Sequence, residues 1–316
     1  MRVLVTGGLG FIGSALIRTL IDETDYEVLN IDKCTYAAMP EAIEGKEQSK
    51  NYNFQQIDIA NYKETYQAIK TFNPNKIYHL AAESHVDNSI KNYKPFLESN
   101  VVGTINLMNA SLEVGIKKFH HISTDEVYGS LEYDDTELFK ETTPYDPRNP
   151  YSASKAASDY FVKTWHNTYG LPYLITNCSN NYGPHQHVEK LIPLVVTNAL
   201  QDKVTYMHQG GHQIRDWLYV YDHCAAIWEL EEQGILNDHF NIGGGCEMRN
   251  LDVTKMILKL MNKPFDLIGI NNERPGIDKR YGMDHTKITK RTGWTPFTDF
   301  EIGLRATVTW YLDKLT

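Results

Sequence analysis

The stretch VLVTGGLGFIG at residues 3–13 joins a short apolar run to a glycine-rich turn and then to an amphipathic segment. Its pattern is G-x-x-G-x-x-G, with glycine at positions 7, 10 and 13. Gly7 and Gly10 let the backbone turn sharply and approach a pyrophosphate, and Gly13 lets a helix pack closely on a strand. The helix N-terminus also attracts negative charge. Because the motif lies between a predicted strand and a predicted helix, it favours a dinucleotide site over an ordinary glycine-rich turn.

Short apolar runs alternate with helical patterns through the first half of the chain. We predict strands at residues 3–5, 27–31, 53–57, 76–80, 119–123 and 173–177, with helices between them, for instance at 11–21 and 62–71. This alternation indicates βαβ units and a parallel sheet. The rhythm ends after about Ser179, where Pro184, Pro193 and the turn at 209–211 interrupt it. The predicted fold class is α/β, a Rossmann-like doubly wound parallel sheet with a smaller mixed α/β substrate-binding lobe.

The same change of pattern suggests how the chain divides. We expect residues 1–178 to form a dinucleotide-binding domain, with 217–243 returning to its sheet. Residues 179–216 and 244–316 would form the second lobe. No flexible linker separates the two parts, so we expect them to pack together with a cleft between them.

Composition excludes several classes of protein. The 316 residues are 41% hydrophobic and 22% charged, which is ordinary for a soluble globular protein. A net charge of −9 gives no support to nucleic-acid binding. The four cysteines lack metal-ligand spacing, which favours free thiols in a reducing compartment and no metal site. With no signal peptide and no apolar run long enough to span a bilayer, we expect a cytoplasmic protein without a membrane partner.

An acidic residue at the end of the second predicted strand indicates which dinucleotide is bound. Asp32 lies 19 positions after Gly13, where a carboxylate hydrogen-bonds the adenosine ribose and repels a 2′-phosphate. This favours NAD over NADP, although the cation of Lys33 could accept the extra phosphate. Further cofactor contacts are predicted within the glycine motif and after the next strands, at Phe11, Ile12, Lys33, Thr35, Asp58, Ile59, Leu80, Ala81, Ala82 and Ser84. For Ala81 and Ala82, ordinary helix–sheet packing is an equal alternative.

Two downstream segments contain groups suited to proton transfer. TDEVYG at 124–129 follows a predicted strand, and YSASK at 151–155 places Tyr151 one helical turn before Lys155. We expect Lys155 to depress the pKa of Tyr151, so that the phenol acts as a base. Thr124 can share a hydrogen bond with a substrate alcohol.

The adjacent carboxyls of Asp125 and Glu126 add an acid and a base, because like charges push their pKa values apart. Simple hydride transfer does not require such a pair, so these features indicate a redox enzyme that also eliminates water. The alternative is an acidic pair that favours the dipole at a helix N-terminus.

These motifs resemble those of the nucleotide-sugar dehydratases, a branch of the extended short-chain dehydrogenases/reductases. The resemblance covers nearly the whole chain and is most specific at STDEVYG (123–129) and QIRDWLY (213–219). It implies NAD-dependent 4,6-dehydration of a nucleoside-diphosphate glucose in deoxysugar biosynthesis, for instance of rhamnose. Tyr151, Lys155, Thr124, Asp125 and Glu126 would be catalytic. A homodimer, built from helices around 101–114 and 151–169, is also implied.

The same resemblance assigns the substrate site. Asn180, Lys190, Arg215 and Arg274 are polar or basic groups suited to a sugar nucleotide. The resemblance adds Asn181 as a cofactor contact and completes the substrate set with Ser84, Thr124, Leu191, Tyr206, His208 and Asn250. The segment YMHQ at 206–209 and Ile277 depart from the family pattern, which leaves dTDP-glucose and UDP-glucose both open. A 4-epimerase and a non-catalytic binding protein are the competing functions.

Overall fold

The computed structural model describes residues 1–271 and 275–315. Its principal sheet has seven parallel strands in the order β10-β6-β5-β4-β1-β2-β3. The order reverses beside β1, which is the topology of a doubly wound Rossmann sheet. The strands are β1 (Arg2–Thr6), β2 (Glu27–Asp32), β3 (Tyr52–Gln56), β4 (Lys76–His79), β5 (Lys118–Thr124), β6 (Tyr173–Cys178), β7 (Asn180–Tyr182), β8 (Thr205–His208), β9 (Ile214–Tyr219), β10 (Asp238–Ile242), β11 (Glu247–Arg249) and β12 (Ile268–Asn271).

Helices cover both faces of this sheet. On one face, Ile69, Leu107 and Val162 pack against the strands, and on the other Ile17 and Ile227 do so. The helices are α1 (Phe11–Glu23), α2 (Tyr62–Phe72), α3 (Val86–Lys91), α4 (Lys94–Phe96), α5 (Thr104–Val114), α6 (Pro150–Tyr169), α7 (Leu191–Leu200), α8 (Val220–Glu232), α9 (Asn250–Leu260), α10 (Thr286–Thr292) and α11 (Phe300–Leu315). The predicted α/β fold class is therefore confirmed, and the six predicted strands differ from the observed ones by one or two residues at their ends.

A smaller mixed region follows in the second half of the chain. Strands β11, β9 and β7 form one sheet, with β9 antiparallel to β11 and parallel to β7, and β8 pairs with β12 in another. Helices α7, α9 and α11 surround a core that includes Trp217, Phe300 and Leu304. Within residues 217–243, β10 lies in the principal sheet, whereas 217–219 belong to the three-stranded sheet. No helix in the described ranges is long and apolar enough to cross a membrane.

Helix α6 begins with a strong set of local signals. Asn149 accepts a hydrogen bond from Ser152 N at 2.9 Å, Ser152 Oγ accepts one from Asn149 N, and Pro150 occupies the first turn. This capping box places Tyr151 in the first turn, with Lys155 one turn later. The segment before α5, Leu97–Gly103, is a π-helix rather than part of a regular α-helix. Its wider turn presents Asn100 inward, towards the site described below.

The junction between α8 and α11 depends on one buried carboxylate. Asp222 is 1% exposed and accepts hydrogen bonds from Phe297 N (2.9 Å), Thr298 N (2.8 Å) and Thr298 Oγ1 (2.5 Å). Asp222→Ala leaves these donors without an acceptor, so we expect the free energy of unfolding to fall by about 3 kcal/mol. Urea denaturation of the purified variant measures this loss. The matched control is Asp313→Ala on exposed helix surface, expected to change stability by less than about 0.5 kcal/mol. Equal stability of the two variants would contradict the assignment.

Candidate active site

A cavity of about 310 Å³ opens at the carboxyl ends of the central strands, where open α/β sheets bind ligands. Most residues predicted for the cofactor and the chemistry line it together. They are Gly7, Gly10, Phe11, Ile12, Gly13, Asp32, Lys33, Thr35, Asp58, Ile59, Leu80, Ala81, Ala82, Ser84, Thr124, Asp125, Glu126, Tyr151, Lys155, Asn180, Asn181 and Lys190.

The glycine turn lines the cavity, and two of its glycines lie very close to other backbone atoms. Gly7 has φ +72°, and a Cβ there would lie 2.6 Å from Ala81 Cα. A Cβ on Gly13 would lie 2.2 Å from Gly7 O. Gly10 caps α1 without a side-chain hydrogen bond, so the first N–H groups of the helix remain open to an anion. These features fit a pyrophosphate.

The acidic residue at the end of β2 is held in place by the backbone. Asp32 accepts hydrogen bonds from Leu9 N at 3.0 Å and Cys34 N at 2.8 Å. Burial raises its pKa and the two N–H groups oppose the rise. Lys33 forms an ion pair with Asp58 at 2.7 Å, so its ammonium already has an anionic partner. The arrangement fits the ribose of a dinucleotide without a 2′-phosphate.

The loop after β4 is anchored by Asn100 from the π-helical turn. Asn100 Nδ2 donates to Glu83 O at 3.0 Å and to Ser154 Oγ at 2.8 Å, and Asn100 Oδ1 accepts from Glu83 N at 2.9 Å. On the opposite side of the cavity, Lys190 Nζ donates to Ser84 O at 3.2 Å. The loop thus connects α6 with the second lobe.

Tyr151 and Lys155 lie on one face of α6, as predicted, but the expected pKa relationship is wrong for the protein groups alone. Lys155 Nζ donates to Ile122 O at 2.9 Å. Burial, followed by the negative charge of Glu126, raises the pKa of Tyr151 well above its usual value. Burial also lowers the pKa of Lys155. Desolvation of the phenolate exceeds the benefit of the nearby ammonium, which the sequence spacing did not reveal.

The acidic pair lies directly beyond β5, in a 3₁₀ turn (Asp125–Tyr128) where Thr124 Oγ1 accepts a hydrogen bond from Glu126 N. Asp125 is 2% exposed, accepts from Thr124 Oγ1 at 3.2 Å, and has no hydrogen-bond partner for Oδ2 within the described residues. Burial and the Glu126 charge raise the pKa of Asp125 well above its usual value. Burial and Asp278 raise the pKa of Glu126, while Arg215 and Lys190 oppose that rise. The site can therefore hold one protonated and one ionised carboxyl.

Arg215 lies beside this pair and does not bond to its sequence neighbour Asp216. Its guanidinium donates to Ile214 O at 2.8 Å and Asp278 O at 3.0 Å, and stacks 4.2 Å from the Tyr281 ring centroid. The Asp216 carboxylate instead accepts from Gly244 N and Cys246 N. The adjacent side chains of Arg215 and Asp216 therefore have separate partners and do not pair with each other.

Four further predicted substrate residues lie in the smaller lobe and do not line the cavity. Leu191 begins α7, Asn250 begins α9, and Tyr206 and His208 lie on β8, with Tyr206 63% exposed. Arg274 lies outside the described residues.

Sequence reasoning missed several residues of the cavity wall. Cys178 is the last residue of β6 and Ser179 follows it, and their position at a strand end could have identified them. Ser99 comes from the π-helical turn, and Glu83, Gln186, His187 and Glu189 come from loops. No sequence motif marked these five positions.

Comparison with known proteins places this site in a family. The family model described as GDP-mannose 4,6 dehydratase matches residues 4–307. The chain belongs to this family. It is 46% identical to a dTDP-glucose 4,6-dehydratase of Neisseria meningitidis, covering 100% of this chain and 94% of the relative. It is 47% identical to one from Haemophilus influenzae, covering 99% and 98%.

Solved structures agree with these relatives. The dTDP-glucose 4,6-dehydratase DesIV of Streptomyces venezuelae, determined with NAD bound, has a TM-score of 0.95 at 38% identity and covers 99% of this chain and 97% of its own. A UDP-glucose 4-epimerase of Thermotoga maritima has a TM-score of 0.92 at 26% identity, covering 100% of both chains. The epimerase thus shares the fold at a lower sequence identity.

The unequal environments of the two carboxyls have a spectroscopic consequence. Because its pKa is raised, Asp125 keeps its proton to higher pH than an ordinary aspartate, whereas Asp216, whose pKa is about 6, is ionised at about pH 8. Infrared spectra of protein labelled with carbon-13 aspartate should show a carboxyl band that stays protonated to higher pH than the band of an ordinary aspartate. The band should vanish in Asp125→Asn and persist in Glu126→Gln. Its presence in Asp125→Asn would refute the assignment.

Proposed function

We propose that this protein is a lyase that converts dTDP-glucose to its 4-keto-6-deoxy product, with NAD as cofactor. The observation that carries the proposal is the pair Asp125–Glu126, two carboxyls of raised pKa beside Tyr151 and Lys155 in one cavity. The relatives at 46–47% identity named as dTDP-glucose dehydratases favour dTDP over UDP.

The first part of the cavity suits NAD. Gly7, Gly10 and Gly13 would hold the pyrophosphate against the start of α1, and Asp32 would accept the ribose hydroxyls. Asn181 and the loop at 80–84 would line the cofactor further along the cavity. When bound, NAD⁺ would supply the reversible hydride transfer that oxidation at C4 and reduction at C6 of the sugar require.

Side chains of the protein then carry out the proton transfers. Tyr151 removes the 4-hydroxyl proton, with Thr124 orienting that hydroxyl and Lys155 favouring the phenolate. The resulting 4-ketone acidifies the C5 proton, which Glu126 removes. Asp125, the more strongly perturbed carboxyl, protonates the departing C6 hydroxyl, which leaves as water. Glu126 returns its proton to C5, Tyr151 releases the proton it took to solvent, and Asp125 regains one from solvent. The product therefore differs from the substrate by one water and a shifted hydride.

The nucleotide would lie across the smaller lobe. Lys190 and Arg215 are placed beside the carboxyl pair and would neutralise the diphosphate together with Arg274, with Asn180 alongside. Leu191, Asn250, Tyr206 and His208 would surround the nucleoside. In this proposal, residues 1–178 and part of 217–243 form the domain that binds the cofactor. Residues 179–216 and 244–316 form the lobe that binds the sugar nucleotide.

We also propose that the protein forms a homodimer. The helical segments around 93–102 and 160–169 expose apolar and aromatic side chains, which are Tyr93, Leu97, Val102, Tyr160 and Tyr169, each more than 40% exposed. A second copy of the chain would cover this face.

The test compares dTDP-glucose and UDP-glucose as substrates with NAD⁺ present. Mass spectrometry should show a product lighter by one water, formed at least about 10-fold faster from dTDP-glucose, because about 1.4 kcal/mol of base discrimination suffices. Formation of the galactose isomer without water loss would establish the 4-epimerase instead. Absence of any turnover, with the protein folded and NAD-bound, would reject both enzymes.

The acidic pair is tested by substitution. Asp125→Asn combined with Glu126→Gln should reduce water loss by at least about 10³-fold, because the acid and the base are both removed. Hydride transfer from C4 should continue, as followed by the absorbance of the reduced cofactor in a single turnover. The matched control is Tyr151→Phe, which should prevent that first hydride transfer. Intact dehydration in the double variant would contradict the assigned mechanism.

A further inference from the structure

Helix α6 carries a second buried carboxylate, one turn beyond Lys155. Asp159 is 0% exposed. Its Oδ2 accepts hydrogen bonds from Tyr145 OH at 2.8 Å, Ser123 Oγ at 3.0 Å and Asn177 Nδ2 at 3.3 Å, and its Oδ1 lies 3.2 Å from His121 Nε2. Burial raises the pKa of Asp159, but the His121 imidazole, the positive charge of Lys155 and the Ser123 hydroxyl outweigh burial and keep it low, at about 2. The carboxylate is therefore ionised throughout the physiological range.

The groups that hydrogen-bond this carboxylate do not neutralise it. Burial lowers the pKa of His121 to about 4, so its imidazole is neutral, and the three hydrogen-bond donors, which are Tyr145, Ser123 and Asn177, carry no charge. Burial also lowers the pKa of His239, on β10, to about 4, and raises that of Tyr128 and of Tyr145. A single negative charge thus lies among neutral groups in the interior, an arrangement that requires a cation nearby.

Two lysines on α6 are placed to supply that cation. Lys155 and Lys163 lie four residues before and four residues after Asp159, which is the spacing of neighbouring helical side chains. Lys163 is half-buried, and its Nζ lies 5.4 Å from the Tyr145 ring centroid. Lys155 is only 5% exposed, and its Nζ donates to the carbonyl of Ile122, next to Ser123, which itself bonds Asp159. Burial disfavours the Lys155 ammonium, and Asp159 opposes this by raising the pKa.

We propose that Asp159 is a positioning residue for the dehydratase reaction, the buried counter-charge that keeps Lys155 in its ammonium form beside Tyr151. This rests on the proposed function, because the ammonium is what favours the Tyr151 phenolate. The groups facing Lys155 from other elements are His79 on β4, His121 on β5 and Cys178 on β6. Both histidines are neutral because burial lowers their pKa, and burial keeps the Cys178 thiol protonated by raising its pKa to about 12. Asp159 is therefore the anion available to Lys155 on this side.

The network allows a conservative substitution that removes only the charge. In Asp159→Asn, the amide oxygen can accept the three hydrogen bonds now made to Oδ2. The amide nitrogen would face His121 Nε2, which becomes an acceptor if the ring proton moves to Nδ1. His121 Nδ1 has no hydrogen-bond partner in the described part of the chain, so the change of tautomer breaks no existing hydrogen bond.

The first experiment is the pH dependence of kcat/KM for dTDP-glucose. Loss of the Lys155 proton forms the alkaline limb, and a lysine that loses an anionic neighbour has a lower pKa. In Asp159→Asn this limb should move to lower pH by about one unit. The matched control is Tyr145→Phe, which removes one hydrogen bond to the same carboxylate but keeps its charge, and its limb should coincide with that of the wild-type enzyme. An unshifted limb in folded Asp159→Asn would overturn the proposal.

A second measurement needs neither turnover nor a substitution at Asp159. Protein labelled with carbon-13 at lysine Cε, with the Lys155 resonance assigned by its loss in Lys155→Arg, is titrated by NMR. The proposal expects the Lys155 resonance of the wild-type protein to report an ammonium at about pH 8. A neutral amine at that pH would overturn it. If the wild-type enzyme did not dehydrate dTDP-glucose, the proposed function would fail while this titration still decided the charge of Lys155.

Discussion

The docking of α6 across the end of β5 is the contact on which the rest of the site depends. Lys155 Nζ donates a hydrogen bond to the Ile122 carbonyl, and the Asp159 carboxylate accepts hydrogen bonds from Ser123 on β5 and Asn177 on β6. These bonds fix the rotation of the helix relative to the sheet. Tyr151 is thereby brought into the same cavity as Thr124 and the acidic pair. A helix held only by apolar contacts would place the phenol less precisely, because such contacts are non-directional.

Burial sets the chemistry at this junction. Asp125, Tyr151 and Lys155 are each less than 10% exposed, so desolvation is the largest cause of each pKa shift. The neutral forms of the carboxyl, the phenol and the amine are all favoured together. A bound cationic ring would add the positive charge that the Tyr151 phenolate needs, whereas the Asp125 carboxyl is already suited to donate a proton.

The fold and most cofactor residues could be predicted because each rests on a local rule. The turn at 7–13 requires glycine for reasons of backbone approach, and Asp32 lies at a fixed distance along the βαβ unit. No such local rule predicted the structure of the smaller lobe. Its strands are short and pair with partners distant in sequence, as β11 does with β9 and β12 with β8, and the contacts of Arg215 with Tyr281 and Asp278 have no signature in the chain.

The sequence by itself determined the α/β class, through the alternation of apolar runs and helical patterns along the first half of the chain. It also determined the dinucleotide turn, the Tyr151–Lys155 spacing and the presence of two adjacent carboxyls, because each of these is a pattern of nearby residues. Only the tertiary structure decided how those groups ionise. Burial raises the pKa of the Asp125 carboxyl and of the Tyr151 phenol, and Asp159 acts electrostatically on Lys155 without appearing in any predicted motif. A pKa depends on the dielectric and the charges around a group, and these come from elements that meet only when the chain has folded.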